Sequence, residues 1–181
     1  MSRLAIILAA LHLANPQLSK PVQRNLAHAI SIEAERAHID PLLMISVFWH
    51  ESGVRAGAVS KDGEDYGLGQ IRARYIGACR KDADPVNHPS QACLAVKSSL
   101  LNPNYNVRTT AQVIAKWRTT CREATGTKAL AHRWLSGYAG ESRPPLTLCG
   151  QQKQGGRWRG LPQSSRVRSI LSRYKRLLRL R

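Results

Sequence analysis

A mainly α protein is the expectation for this chain, and three observations carry it. Apolar residues recur at intervals of three and four more often than in alternation, 43% of all residues are apolar, and 181 residues are enough for one compact domain with its own core. No internal repeat is visible.

Taking the elements in order, Arg3 precedes an unbroken apolar run from Leu4 to Leu11, with His12 behind it. Residues 1–20 are read as either a buried N-terminal helix or a short signal-like segment, although no A-x-A cleavage site follows. The run is too short to cross a bilayer as a helix, which takes about 20 residues. Without a signal, export would depend on host lysis machinery or packaging in a particle. Residues 21–181 are expected to form the main domain. From Val22 to Ile39 the positions Val22, Leu26, Ala29, Ile30, Ala34 and Ala37 mark one face of a helix. Asp40-Pro41 supplies an N-cap and a first-turn proline for the next helix, whose residues Leu42, Leu43, Ile45, Val47, Phe48 and Trp49 are apolar nearly all round and so predict a central position. Gly53 is placed to end it.

Val54 to Gly69 reads as a structured loop, and Arg74 to Leu101, with Asp84-Pro85 and His88-Pro89, as an irregular excursion. Asn102-Pro103 restarts a helix carrying Val107, Ala111, Ile114 and Trp117. A shorter helix covers Ala129 to Leu135. Gly137, Gly140, Pro144 and Pro145 then open a loop to about Ser164, with Gly155-Gly156 inside it. From Ser165 to Arg181 an apolar stripe of Val167, Ile170, Leu171, Tyr174, Leu177 and Leu178 alternates with basic residues, predicting a basic amphipathic helix.

Charge is the compositional outlier: 28 Lys and Arg against 11 Asp and Glu give +17. The partner is therefore expected to be anionic, because such an excess governs association rather than fold. Eleven basic residues and no acidic one follow Glu141. The basic C-terminal helix is either a packed closing helix with a solvated face or an element that meets an anionic envelope surface. Specific nucleic-acid recognition is not expected, since only Trp158 is interleaved among Lys153, Arg157 and Arg159. Four cysteines with no C-x-x-C pair allow three disulfide connectivities. Pairing of sequence neighbours, Cys79 with Cys93 and Cys121 with Cys149, is favoured over the others; buried free thiols remain the alternative.

For chemistry, His50-Glu51 lacks the second histidine of H-E-x-x-H, since position 54 is Val54. Neither a metal nor any other cofactor is expected. No G-x-S-x-G and no phosphate-binding loop is present. What remains is Glu51, at the C-terminal end of an apolar helix. There the helix dipole and burial against Phe48 or Trp49 both raise a carboxyl pKa, suiting it to general acid work on a glycosidic oxygen. Taken by itself, such a residue is more often a surface glutamate at a helix end.

The ordered set His50-Glu51-Ser52-Gly53, Ala58-Val59-Ser60, Gly67-Leu68-Gly69-Gln70-Ile71 and Asn102-Pro103 leading to Asn106-Val107 resembles the soluble-type lytic transglycosylases, relatives of goose-type lysozyme. The likeness runs from about Gln23 to Tyr174 and is loose between Tyr75 and Leu101. It implies a single lysozyme-like α domain and peptidoglycan glycan strands as partner, cleaved between N-acetylmuramic acid and N-acetylglucosamine to leave a 1,6-anhydro ring. By the same resemblance Glu51 is the sole catalytic carboxyl and Ser52 helps hold it. Gly69, Gln70 and Ile71 line the cleft, and Tyr138 in Gly137-Tyr138-Ala139-Gly140 stands for the tyrosine of the family's Tyr-Asn-x-Gly, without its asparagine. Asp62, Glu64 or Asp65 could instead assist water in a true lysozyme, and a non-catalytic cationic envelope-binding protein is the third reading. A monomer in the periplasm or cell envelope is expected.

Overall fold

A computed structural model describes residues 2–125, 130–144 and 146–181. It is mainly helical. In chain order come α1 (Arg3–Ala14), α2 (Lys20–Arg36), α3 (Pro41–Glu51), the short strands β1 (Asp65–Tyr66) and β2 (Ile71–Arg72), α4 (Gln91–Leu101) and α5 (Pro103–Thr125). Then follow α6 (Ala131–Tyr138), β3 (Thr147–Leu148), β4 (Gln151–Gln154), β5 (Arg157–Gly160) and α7 (Ser165–Leu178). Two 3-10 turns, Ala73–Tyr75 and Gly77–Lys81, link β2 to α4.

The helices expected from apolar stripes form, and their caps account for where they start. Asp40 accepts from the Leu42 amide at 2.9 Å and opens α3. The Asn102 side chain accepts from the amides of Asn104 and Tyr105 ahead of α5, and Ser164 accepts from Val167 at the start of α7. One core joins α1, α2, α3, α5, α6 and α7, with Ile7, Leu11, Ile30, Phe48, Ile114, Leu135 and Ile170 fully buried in it. Thus the apolar run Leu4–Leu11 lies in α1, packed on α2 and α3. The apolar all-round α3 is central, touching α1, α2 and, most extensively, α7. A smaller core of Tyr66, Ile71, Ala73, Cys79, Cys93 and Leu100 sits under the hairpin β1–β2. Disulfides join Cys79 to Cys93 and Cys121 to Cys149, the sequence-neighbour pairing.

Four expectations are corrected. The excursion Arg74–Leu101 contains a full helix, α4, capped by Ser90, which accepts from the Cys93 amide at 3.2 Å. The expected loop to Ser164 contains an antiparallel sheet in the order β3-β4-β5. Its β4–β5 turn is Gly155-Gly156, with φ of +54° and +78°, values that suit glycine and a two-residue hairpin loop. The final helix ends at Leu178 rather than Arg181, and the helix expected over Ala129–Leu135 runs Ala131–Tyr138. Ala129 and Pro145 lie outside the described residues, as does Met1.

Candidate active site

Glu51 is the last residue of α3. The helix stops there because Gly53 takes φ +63°, letting the Val54 amide turn back to the Phe48 carbonyl at 3.1 Å. Val54 itself holds φ +59°, a costly conformation for a β-branched residue, and is kept there by burial at 1% exposure. The chain is thus bent sharply directly after the glutamate.

The Glu51 side chain is only 5% exposed, and its carboxylate meets Arg166 of α7. Arg166 Nε donates to Oε1 at 3.0 Å and Nη2 to Oε2 at 2.5 Å, while Nη1 donates to the Ala139 carbonyl at 3.3 Å. Such a bidentate fork fixes the plane of the carboxyl group. Burial pushes the Glu51 pKa above its ordinary value by more than the Arg166 bonds and charge pull it back, and the charge of Asp65 adds to the rise. The result is a carboxyl group that holds a proton more readily than a surface glutamate yet has a cation in place when the proton leaves. Beside it, His50 is held below its usual pKa by burial and by Arg173 and Arg166, so it stays neutral and accepts from Arg173 Nη1 at 3.2 Å.

Tied to the end of α3 through Ser52 is the turn Gly67–Gln70 between β1 and β2. Close approach explains its glycines. A Cβ at Gly67, where φ is +73°, would lie 2.2 Å from Asn106 Nδ2, and one at Gly69 would lie 2.2 Å from Thr110 Oγ1 and 2.7 Å from the Tyr138 hydroxyl. The fully buried Asn106 pins this turn: Nδ2 donates to the carbonyls of Tyr66 and Leu100, and Oδ1 accepts from the Gly69 amide at 2.9 Å. The Tyr138 hydroxyl donates to the Gly69 carbonyl at 2.5 Å. Burial and the charge of Glu51 both push that phenol well up, so it is a neutral donor within electrostatic reach of the glutamate.

The expected site residues are therefore brought together, with altered parts. Ser52 does not hold the Glu51 carboxyl. Its hydroxyl is shared between the Leu68 carbonyl at 2.8 Å and the Phe48 carbonyl at 3.2 Å and accepts from the Arg55 amide, so it ties the end of α3 to the glycine turn. Gly69 has both backbone polar groups engaged. Gln70, at φ +49°, folds its amide back onto the Ala58 and Gly67 carbonyls. The Ile71 side chain is buried in the smaller core, leaving only its backbone to face a cleft. Of the three other acids, Asp65 and Glu64 each lie 3.1 Å from Arg72, Glu64 also pairs with Arg74, and Asp62 accepts from Ser60. Among the described residues no group of three or more His, Cys, Asp or Glu could hold a metal ion.

Arg166, Asn106 and Thr110 join the site without being among the residues the sequence singles out for it. Asn106 stood inside a recognisable motif, whereas Arg166 is one of eleven basic residues in the C-terminal region and had no local signal. A family model, the transglycosylase SLT domain, matches residues 28–139, which include Glu51, the glycine turn, Asn106 and Tyr138. No curated protein and no solved structure matches the chain.

Proposed function

The chain belongs to the transglycosylase SLT domain family, enzymes that cleave glycosidic bonds of peptidoglycan, and from that premise we propose that it is a lytic transglycosylase in which Glu51 acts alone. The bond cut is the β-1,4 link from N-acetylmuramic acid to N-acetylglucosamine. Protonated Glu51 gives its proton to the leaving oxygen, and the carboxylate so formed stays paired with Arg166. The acetamido group of the muramoyl residue supports the cationic C1. Glu51 then takes the proton of the muramoyl 6-hydroxyl as that oxygen attacks C1, closing the 1,6-anhydro ring and restoring the protonated acid. No water is consumed.

The observation that carries this reading is the contrast between carboxyl groups. Glu51 is buried with a raised pKa, while Asp62, Glu64 and Asp65 are engaged by Ser60, Arg72 and Arg74 and none is held ready to serve as the second acid of a two-carboxylate glycosidase. Two disulfides support action in an oxidising compartment, the periplasm or cell envelope. The test is mass spectrometry of muropeptides released from purified peptidoglycan. Products lighter than hydrolysed ones by one water, and lost with Glu51→Gln, are expected. Reducing-end muramic acid would instead mean a lysozyme, and no soluble product a binding protein.

A further inference from the structure

Between Trp49 of α3 and one face of α7 runs a groove of about 540 Å³. One wall is Trp49. The other is a single face of α7, where Arg168, Arg173 and Arg176 alternate with Ser165 and Ser172 at helical spacing. Arg173 and Arg176 each stand 5.5 Å from the centre of the Trp49 ring, which fixes their stems and leaves their charge in place. None of the three has a carboxylate partner among the described residues: Arg168 donates to the Gln163 carbonyl, and Arg173 to Ser169 and His50. The groove therefore presents three uncompensated guanidinium groups, hydroxyl donors and a flat aromatic side.

We infer that this groove binds the carboxylates of the peptide stem borne by the muramoyl residue undergoing cleavage, an inference that rests on the reading of Glu51 above. Position favours it. Ser165, at one end of the groove, is next in sequence to Arg166, which holds Glu51, and the lining runs on to Arg176, about 15 Å along the helix at 1.5 Å per residue. A four-residue stem spans about 13 Å when extended. It hangs from the lactyl group of the very sugar whose C1 reacts, and its free carboxylates match planar, bidentate arginine donors. An anionic lipid surface fits less well, because the apolar face of α7, with Val167, Ile170 and Leu177 at 0% exposure, is spent on the core and cannot insert.

The test compares kcat/KM on stem-bearing glycan strands with that on strands stripped of stems by an amidase. Wild-type protein is expected to prefer stem-bearing strands, and Arg168→Gln/Arg176→Gln to lower that preference about tenfold, the scale of one charge-assisted contact. Arg168→Gln alone, which disturbs only a surface contact with Gln163, is expected to lower it in part and guards against misfolding of the double variant. An unchanged preference overturns the inference. Should wild-type protein cut neither substrate, the catalytic reading fails by itself. The groove is then judged by calorimetry with a free stem tripeptide at about 0.15 M salt, where long-range attraction is screened beyond roughly 8 Å. Binding that the double variant loses supports the stem site. Binding of inorganic phosphate or of phosphatidylglycerol vesicles in place of the tripeptide overturns it.

Discussion

Arg166 decides how Glu51 behaves. The carboxyl is drawn in two directions, burial raising its pKa and the guanidinium lowering it, with burial the stronger. An acid catalyst must be protonated to act, so the alkaline limb of kcat/KM is expected at the pKa of Glu51. Arg166→Gln removes the cation, and that limb should move to higher pH. At the same time kcat should fall by about a hundredfold, since the carboxylate left after proton transfer loses its two donors. Stability follows the same proton. Because the folded-state pKa lies above the unfolded value, the stability contributed by Glu51 is present at low pH and lost as pH rises through the folded value. The variant widens that loss, so its Tm should drop further below the wild-type value in alkaline than in acid buffer. A pH profile that does not move in either measurement would mean that the ion pair is incidental.

Elements were legible in proportion to their apolar stripes. α2, α3, α5 and α7 each combine such a stripe with a cap or first-turn proline, and each forms. α4 buries only Cys93 and Leu100, seven residues apart, too sparse a pattern to reveal a period, and only Ser90 marked its start. The sheet β3-β4-β5 hid for the opposite reason: Gln151 to Gln154 is polar on both faces and Arg157 to Gly160 offers only Trp158 as a large apolar residue, leaving Gly155-Gly156 as the main cue. The candidate site shows the same division. Glu51 and the glycine turn are compact in sequence, whereas Arg166 reaches Glu51 across 115 residues and looks locally like part of a solvated face. What holds the unforeseen sheet to the core is the disulfide from Cys121, near the end of α5, to the buried Cys149 beside β3. It closes 28 residues, and chain entropy assigns it about 3.5 kcal/mol. Cys121→Ala/Cys149→Ala is therefore expected to lower Tm by roughly 10 °C in a thermal melt, at about 2–4 °C per kcal/mol for a chain of this size. A drop of under about 2 °C would show that packing alone secures the sheet.

At the scale of the whole molecule, a net charge of +17 on 181 residues works in opposite senses on binding and on folding. Its field draws the protein to an anionic substrate, while like charges on one small body repel each other. Part of the excess is neutralised locally, as where Arg72 and Arg74 meet the acids of the β1–β2 hairpin and Arg36 and Arg108 meet Glu33. α7 differs in that, among the described residues, its ion pairs are made only by Arg166 with Glu51 and, just beyond the helix, by Arg181 with Asp40, which also accepts from Tyr174, so the arginines between remain free to act at a distance. Salt separates the two effects. Between about 0.1 M, where the screening length is roughly 10 Å, and about 1 M, where it is roughly 3 Å, kcat/KM on intact sacculi should fall at least about tenfold, mostly through KM. Over the same range Tm should rise, since screening relieves the self-repulsion. A glycan oligomer whose lactyl carboxylates have been converted to neutral amides serves as the control, because its cleavage does not depend on the long-range field and should vary little with salt. Were sacculi and the neutral oligomer to respond alike, the positive charge would have no part in substrate capture, and its role would have to be sought in contacts made elsewhere on the surface.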